Sequence, residues 1–207
     1  GTVQFGIDYG INSENGQVRP EEVRSILNYA HSQNIDLLDT APAYGNSEKV
    51  LGVANVQNFK VVTKTKHFES FEIKNTDVKL LNNDFHHSLK DLKQHSVYGV
   101  LIHDADDLLK PGAEKLFDKL QELKQAEKIV KIGVSVYDHS QLQFILDNFA
   151  IDLVQLPFNI LDRRMVDSGM LSTLRSKGVE VHARSVFLQG LLLMTEQSRH
   201  EKFNRWS

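Results

Sequence analysis

The chain of 207 residues lacks cysteine and contains only four prolines and one tryptophan. The absence of cysteine excludes disulfides, thiolate metal sites and cysteine nucleophiles, and it favours a cytoplasmic protein. The longest apolar run, residues 190–194, is far shorter than the roughly 18 to 20 residues that a membrane span needs. Charge of one sign is also scarce, since 24 Lys and Arg against 27 Asp and Glu give a net charge of −3. We therefore expect neither membrane insertion nor nucleic-acid binding.

Several ligand-binding motifs are missing as well. No G-x-G-x-x-G follows a strand-like run and no G-x-x-x-x-G-K-[ST] occurs, which disfavours Rossmann and P-loop sites. His86 and His87 are adjacent on one predicted helix, and without H-E-x-x-H or a histidine pair four residues apart we expect no metal site. With 41% apolar and 25% charged residues, the composition is that of a globular protein.

What the sequence does contain is a regular alternation of strand-like and helix-like segments. The strand-like runs are spaced by roughly 20 to 40 residues, the length of a strand, a helix and two loops. They cover residues 1–5, 35–39, 60–63, 98–102, 129–136, 151–155 and 179–183.

The segments between these runs have helical periodicity and helix-end signals. In residues 19–34, Val23, Ile26, Leu27 and Ala30 form one apolar stripe behind Pro20. Similar patterns predict a helix over residues 76–94, another after residue 112, one capped by the side chain at 138, and one ending near 177 before a glycine.

Strict alternation predicts a parallel sheet with right-handed crossovers, either doubly wound or closed into a barrel. Seven strands are predicted, and the same spacing places an eighth beyond Ser207. A (β/α)8 barrel typically takes about 250 residues. We therefore predict an α/β fold, a (β/α)8 TIM barrel lacking its last helix and strand, as a single domain over residues 1–207.

Chemically useful side chains follow the predicted strands at their carboxyl ends, where parallel α/β folds gather reactive groups. Asp39, Tyr44, Lys64 and His103 should share one mouth. A phenol is a poor acid near pH 7 unless a cation stabilises its phenolate, and Lys64 can supply that charge while Asp39 pairs with it. With His103 donating to a substrate oxygen, the set could protonate a carbonyl oxygen as negative charge develops there.

The segment D-T-A-P-A-Y-G-N-S-E over residues 39–48, with Leu51-Gly52 after it, closely resembles the signature of the aldo-keto reductase family. Further motifs match in the same order along nearly the whole chain: residues 1–2 with 5–6, Lys64, residues 101–103, residues 132–135, and residues 154–155 with 159. The resemblance is strongest to bacterial members associated with sugar or polysaccharide biosynthesis. It implies a (β/α)8 barrel that reduces an aldehyde or ketone with NADPH.

The resemblance also implies residue roles. Tyr44 would be the general acid, Lys64 and Asp39 would tune it, and His103 would orient the carbonyl of a small-molecule substrate. The implied NADP(H)-binding residues are Thr2, Ser135, Gln155, Arg184, Ser185, Gln189 and Gly190, with Ser135 and Gln155 at the nicotinamide carboxamide and residues 184–190 around the pyrophosphate.

The chain departs from the family pattern at three places. Arg184 stands where many members stack an aromatic ring on the nicotinamide, and its charge would lie near a ring that becomes positive on oxidation. Val136 replaces an asparagine that often contacts the carboxamide. The clamp for the 2′-phosphate follows the eighth strand, beyond Ser207, so the residues present do not distinguish NADPH from NADH, and they leave the oligomeric state open.

Two other functions remain alternatives at this point. One is a non-catalytic relative that binds a cofactor or a partner without turnover. The other is a barrel hydrolase or aldolase that uses Lys64 as a Schiff-base lysine.

Overall fold

The computed structural model describes residues 1–10 and 16–198, and in these ranges six parallel strands form one sheet. Each strand pairs with the next along the chain, in the order β1-β2-β3-β4-β5-β6. The strands are β1 (Leu37–Asp39), β2 (Lys60–Lys64), β3 (Val97–Ile102), β4 (Ile129–Ser135), β5 (Leu153–Pro157) and β6 (Glu180–Arg184).

Helices occupy most of the connections between strands. The α-helices are α1 (Val3–Gly6), α2 (Pro20–Ser32), α3 (Ser47–Ala54), α4 (Asn75–Leu92), α5 (Glu114–Gln125), α6 (His139–Asn148), α7 (Arg164–Asp167) and α8 (Met170–Ser176). Short 3-10 turns cover Ala105–Leu108, Leu191–Leu193 and Glu196–Ser198. None of the described helices is long and apolar enough to cross a membrane.

The helix-end signals in the sequence have the expected structural effects. Pro20 is the first residue of α2, where its missing N–H costs nothing. At the start of α6, the Asp138 carboxylate accepts a hydrogen bond from the Ser140 backbone N–H at 2.7 Å. Gly178, just after α8, has φ of +68°, a conformation that glycine adopts without steric cost. The predictions of α2, α4, α5, α6 and α8 are confirmed.

The prediction of a strand over residues 1–5 is wrong, because residues 3–6 form helix α1. Thr2 alone keeps a sheet-like contact, through its backbone N–H and the Asp39 carbonyl at 2.9 Å. The following backbone groups bond locally, as in the 3.1 Å bond from the Ile7 N–H to the Val3 carbonyl. Phe5 and Gly6 are buried, so the apolar residues that suggested a strand instead anchor a short helix. The described sheet accordingly has six strands.

The sheet curls so that it has an inner and an outer face. Side chains on the outer face, such as Val100 and Ile132, are buried in the main apolar core that includes the surrounding helices. A smaller cluster of Val62, Leu101 and Leu153 fills the inner face. The architecture is a half-barrel of six parallel strands, consistent with part of a (β/α)8 barrel. The carboxyl ends of all six strands lie at the same edge of this inner face.

Candidate active site

The inward-facing side chains at the carboxyl ends of the strands surround a cleft of about 620 Å³. Because successive side chains of a strand alternate between faces, every second residue points into the half-barrel. The residues that line this cleft are Gly1, Val3, Gln4, Tyr9, Gly10, Asp39, Tyr44, His103, Ser135, Tyr137, Gln155, Arg184, Ser185, Phe187, Gln189 and Gly190.

A buried ion pair lies beneath the cleft. The Lys64 Nζ donates to Asp39 Oδ1 at 2.5 Å and to the Thr40 carbonyl at 2.9 Å, and the Lys64 side chain is 1% exposed. Gln155 Nε2 donates to the same Asp39 oxygen at 2.7 Å. Burial raises the pKa of Asp39, but the Lys64 charge and these hydrogen bonds outweigh it, so the pKa lies below its usual value. Burial also lowers the pKa of Lys64, against the opposing effect of Asp39.

Tyr44 lies directly above this pair, in the loop that leads from β1 to α3. Its ring centroid is 4.9 Å from the Lys64 Nζ and 6.1 Å from the His103 ring, which meets it edge-on. Burial, with a smaller contribution from the Asp39 charge, raises the pKa of Tyr44 far above its usual value. The phenol is therefore protonated at neutral pH. Its hydroxyl forms no hydrogen bond with any residue that the structure describes.

The Tyr44 backbone is held by close contact with a glycine of α1. A Cβ atom added to Gly6 would lie 1.7 Å from the Tyr44 carbonyl oxygen and 2.5 Å from the Ser47 nitrogen. No side chain fits there. Gly45, next to Tyr44, has φ of +59° and packs against the same stretch of α1. Helix α1 and the loop that carries Tyr44 are thus packed backbone against backbone.

His103 completes the group at the mouth. Burial lowers its pKa, and the nearby Lys64 charge lowers it further, so the imidazole is neutral at pH 7. Its backbone N–H donates to Thr65 Oγ1 at 3.2 Å, while the ring nitrogens have no hydrogen-bond partner within residues 1–10 and 16–198. The neighbouring Asp104 pairs with His67 instead, at 3.1 Å.

A second lysine, Lys66, follows Lys64 by two residues and could compete with it for the same position. In the structure Lys66 extends to the surface, where it forms a 2.8 Å ion pair with Asp84, and half of its side chain is exposed. The structure therefore places Lys64, and not Lys66, next to Tyr44.

Thr2 lies behind the cleft. Its side chain donates to the Asp39 carbonyl at 2.9 Å, and the Ser47 hydroxyl donates to the Thr2 carbonyl at 2.9 Å. Thr2 is only 2% exposed and is not among the residues that line the cleft. Its contacts hold the end of β1 in place, and a direct cofactor contact by Thr2 stays a prediction.

The other predicted cofactor residues do lie in the cleft. Ser135 ends β4 and Gln155 lies in β5, so a hydroxyl and an amide face each other across neighbouring strands. After β6 the backbone takes left-handed conformations at Ser185, Gln189 and Gly190, all of which line the same cleft. A left-handed backbone can turn N–H groups toward one side, which suits an anion. This donor set fits an amide-bearing ring joined to a pyrophosphate.

Arg184, at the end of β6, does not extend freely into solvent. Its guanidinium carbon is 3.9 Å from the centroid of the Tyr137 ring, a stacked cation–π contact. Its Nη2 also donates to the Val136 carbonyl at 3.3 Å. Sequence reasoning missed Tyr137, together with Gln4 and Tyr9 in the cleft lining. Tyr137 could have been found, because it continues the inward-facing series of Gly133 and Ser135.

Comparisons with known proteins identify the family. A sequence profile described as "Aldo/keto reductase family" matches residues 1–206. The chain is 30% identical over 186 residues to the NADH-specific methylglyoxal reductase of Escherichia coli, covering 80% of this chain and 56% of that protein. It is 28% identical over 200 residues to the oxidoreductase sirO of Leptosphaeria maculans, covering 92% and 59%. The chain thus spans a little over half the length of these curated relatives.

Solved structures show the same fold. An aldo-keto reductase of Bacillus halodurans in its holo form superimposes with a TM-score of 0.70 at 23% identity, covering 84% of this chain and 60% of that one. The glycerol dehydrogenase of Gluconobacter oxydans gives a TM-score of 0.70 at 23% identity, covering 97% and 66%. At this level of identity the structures support the fold alone.

Proposed function

The chain belongs to the aldo/keto reductase family, and from this premise we propose that it catalyses the NAD(P)H-dependent reduction of an aldehyde or ketone to an alcohol. One observation carries the proposal. The Tyr44 hydroxyl and the His103 ring stand side by side over the Asp39–Lys64 ion pair, in the cleft, without a hydrogen-bond partner among the described residues. Two such donors can bind the same carbonyl oxygen.

Tyr44 is the proton donor in this proposal. A bound reduced nicotinamide supplies the hydride that adds to the carbonyl carbon. As the carbonyl oxygen gains negative charge, the Tyr44 O–H transfers its proton to it and becomes a phenolate, which solvent later reprotonates. An alkoxide is a stronger base than a phenolate, so the transfer is favourable even though burial raises the pKa of Tyr44.

Lys64 stabilises the phenolate that this transfer leaves behind. Its ammonium has three N–H groups, and two of them bond to Asp39 and to the Thr40 carbonyl. The third N–H and the positive charge lie next to the Tyr44 ring. Asp39 keeps the buried ammonium charged, so both residues act through Tyr44.

His103 orients the substrate. A neutral imidazole carries one N–H, which can donate to the carbonyl oxygen from the side opposite Tyr44. Because the pKa of His103 is lowered, this neutral form persists as the solution becomes mildly acidic.

The cofactor would be held by residues around the rest of the cleft. Ser135 and Gln155 would bind the carboxamide, and the loop that contains Ser185, Gln189 and Gly190 would surround the pyrophosphate. We keep NADP(H) as the proposed cofactor on the basis of family resemblance. NADH is the alternative, because the Escherichia coli relative is named for its NADH specificity.

The test is oxidation of NADPH or NADH by the purified protein, followed by absorbance with a series of small aldehydes and ketones. We expect aldehyde-dependent oxidation that Tyr44→Phe abolishes while the variant still binds the cofactor. A single-turnover measurement that shows no oxidation would support a non-catalytic relative. Borohydride trapping of a substrate on Lys64 without nicotinamide would support Schiff-base chemistry instead.

Three finer assignments are part of the proposal. The substrate is a small carbonyl compound, cytoplasmic location rests on the sequence composition, and the association with sugar or polysaccharide biosynthesis rests on family resemblance. Assays with sugar-derived aldehydes alongside simple aldehydes test the last of these.

A further inference from the structure

Among the side chains that line the cleft, one carries a positive charge that no acidic group balances by direct contact. The Asp39 and Lys64 side chains form an ion pair, so their charges cancel to a first approximation. His103 is neutral at pH 7. Arg184 forms no ion pair with any acidic side chain in residues 1–10 and 16–198, although it lines the cleft with Tyr44 and His103. The side chains at the site together therefore carry about one net positive charge.

This charge is held in a fixed place. The Arg184 guanidinium carbon lies 3.9 Å from the centroid of the Tyr137 ring, and the Nη2 group donates to the Val136 carbonyl. These two contacts restrict the positions that the guanidinium can take when a ligand enters the cleft. A long, freely rotating side chain would place its charge in solvent and would have little effect.

We propose that the Arg184–Tyr137 stack makes the cleft discriminate between the two oxidation states of the nicotinamide, binding the neutral reduced ring and disfavouring the cationic oxidised ring. The inference rests on the proposed function, because it requires a nicotinamide in this cleft. Any ring close enough to deliver a hydride beside Tyr44 shares the cleft with Arg184. Repulsion between two positive charges then weakens binding of the oxidised form alone. By weakening the binding of the oxidised cofactor relative to the reduced one, the stack would favour carbonyl reduction over alcohol oxidation.

The Arg184 charge affects the pKa values of the neighbouring titratable groups. Burial is the largest influence on the pKa values of Tyr44, Lys64 and His103, but the Arg184 charge lowers all three. A charge that acts on each of these groups also acts on a cation placed between them.

The experiment measures binding and not turnover. Isothermal titration calorimetry would give the Kd of the reduced and the oxidised cofactor for the wild-type chain and for Arg184→Met, Arg184→Lys and Arg175→Met. Arg184→Met removes the charge and keeps the length of the side chain, whereas Arg184→Lys keeps the charge. Arg175 is the matched control, since it lies on α8 beside the outer face of β6, outside the cleft.

We expect Arg184→Met to bind the oxidised form about tenfold more tightly relative to the reduced form than the wild type does. Arg184→Lys should keep only part of the wild-type ratio, because its ammonium keeps the charge but not the planar group that stacks on Tyr137, and Arg175→Met should keep all of it. The wild-type ratio should also approach that of Arg184→Met as salt is added, because screening weakens the repulsion.

Two outcomes overturn the inference while leaving the proposed function intact. If Arg184→Met weakens both forms equally, Arg184 binds a phosphate group of the cofactor and not the ring charge. If the ratio does not change in any variant, the charge does not reach the ring. Failure of the wild type to bind either form would overturn the proposed function itself, and this inference with it.

Discussion

The two ends of the half-barrel contain the same four kinds of side chain, connected in different ways. At the mouth, defined by the carboxyl ends of the strands, these are Asp39, Lys64, Tyr44 and His103. At the opposite end, which we call the floor, they are Glu180, Lys131, Tyr98 and His182. A carboxylate, a lysine, a tyrosine and a histidine therefore occur together twice within one small lumen.

At the floor the polar groups converge on one carboxylate. Tyr98 donates its hydroxyl to Glu180 at 2.7 Å, His182 Nε2 lies 2.7 Å from the other Glu180 oxygen, and Lys131 forms an ion pair with Glu180. Burial raises the pKa of Glu180, but these contacts together lower it to about 2. At the mouth, by contrast, the Asp39 carboxylate accepts hydrogen bonds from Lys64 and Gln155. Within the described part of the chain, the Tyr44 hydroxyl and the His103 ring nitrogens have no hydrogen-bond partner, so they could bind a ligand.

The difference shows that residue types do not by themselves make a reactive site. A tyrosine whose proton is already bonded to a carboxylate has no proton available for a substrate. The contacts at the floor stabilise the fold, whereas the Tyr44 and His103 donors at the mouth lack partners among the described residues, which costs stability and is typical of a binding or reactive site. Two pairs of variants, and one variant compared with the wild type, test this contrast.

The largest difference is expected in kcat, between substitutions of the two tyrosines. Tyr44→Phe should lower kcat by about 10²- to 10⁴-fold, because it removes the proton donor, while the cofactor Kd changes little. Tyr98→Phe is the matched change at the floor and should leave kcat near the wild-type value. Steady-state kinetics and cofactor titration measure both. Equal losses of kcat in the two variants would remove the distinction between mouth and floor.

Substitution of the two lysines should lower the free energy of unfolding by different amounts. Lys64→Met leaves a largely buried carboxylate without its cation, and breaking such a pair typically costs about 3 kcal/mol or more. Lys131→Met breaks a pair whose side chains are 28% and 30% exposed, so water compensates and we expect about 1 kcal/mol or less. Urea unfolding followed by circular dichroism measures both free energies. A larger loss in Lys131→Met than in Lys64→Met would contradict the burial argument.

The contribution of the floor to the free energy of unfolding should depend on pH through Glu180. The pKa of Glu180 is about 2 in the fold, below its usual 4.5, so its stabilising effect is complete above about 4.5 and is lost as the pH falls toward 2. The free energy of unfolding should therefore drop more in the wild type than in Glu180→Gln between about pH 5 and about pH 2, by about 1 kcal/mol once solvent screening is allowed for. Parallel curves for the two proteins would show that the floor is not ionically stabilised.

Much of the fold could be predicted from the sequence, because it depends on local patterns. The helical stripe of α2, the cap of α6 and the strands β2 to β6 follow from periodicity and end signals that lie within a few residues. The grouping of Asp39, Lys64 and His103 follows from parallel topology, which places the carboxyl ends of all strands at one edge. The position of each residue at the end of its strand was therefore enough to predict that the three side chains lie together.

The parts that could not be predicted depend on contacts between distant residues. Tyr98 and Glu180 are 82 residues apart in the chain, and nothing near either residue indicates that they meet. The stack of Arg184 on Tyr137 likewise needs the spatial closeness of β4 and β6, which are not neighbours in the sheet. At residues 1–5 an apolar pattern was compatible with a strand, and tertiary packing against α3 selected a helix.

Gly6 shows that the proposed site depends on a residue with no reactive atoms. It has no functional group, yet its lack of a side chain lets the first helix lie directly on the carbonyl of Tyr44. A saturation mutagenesis scan scored on carbonyl turnover would list Gly6 among the least tolerant positions, beside the proton donor. Such a scan would not distinguish loss of the Tyr44 hydroxyl from disrupted packing at Gly6, because both lower turnover. A parallel scan that measures the abundance of folded protein would separate the two effects.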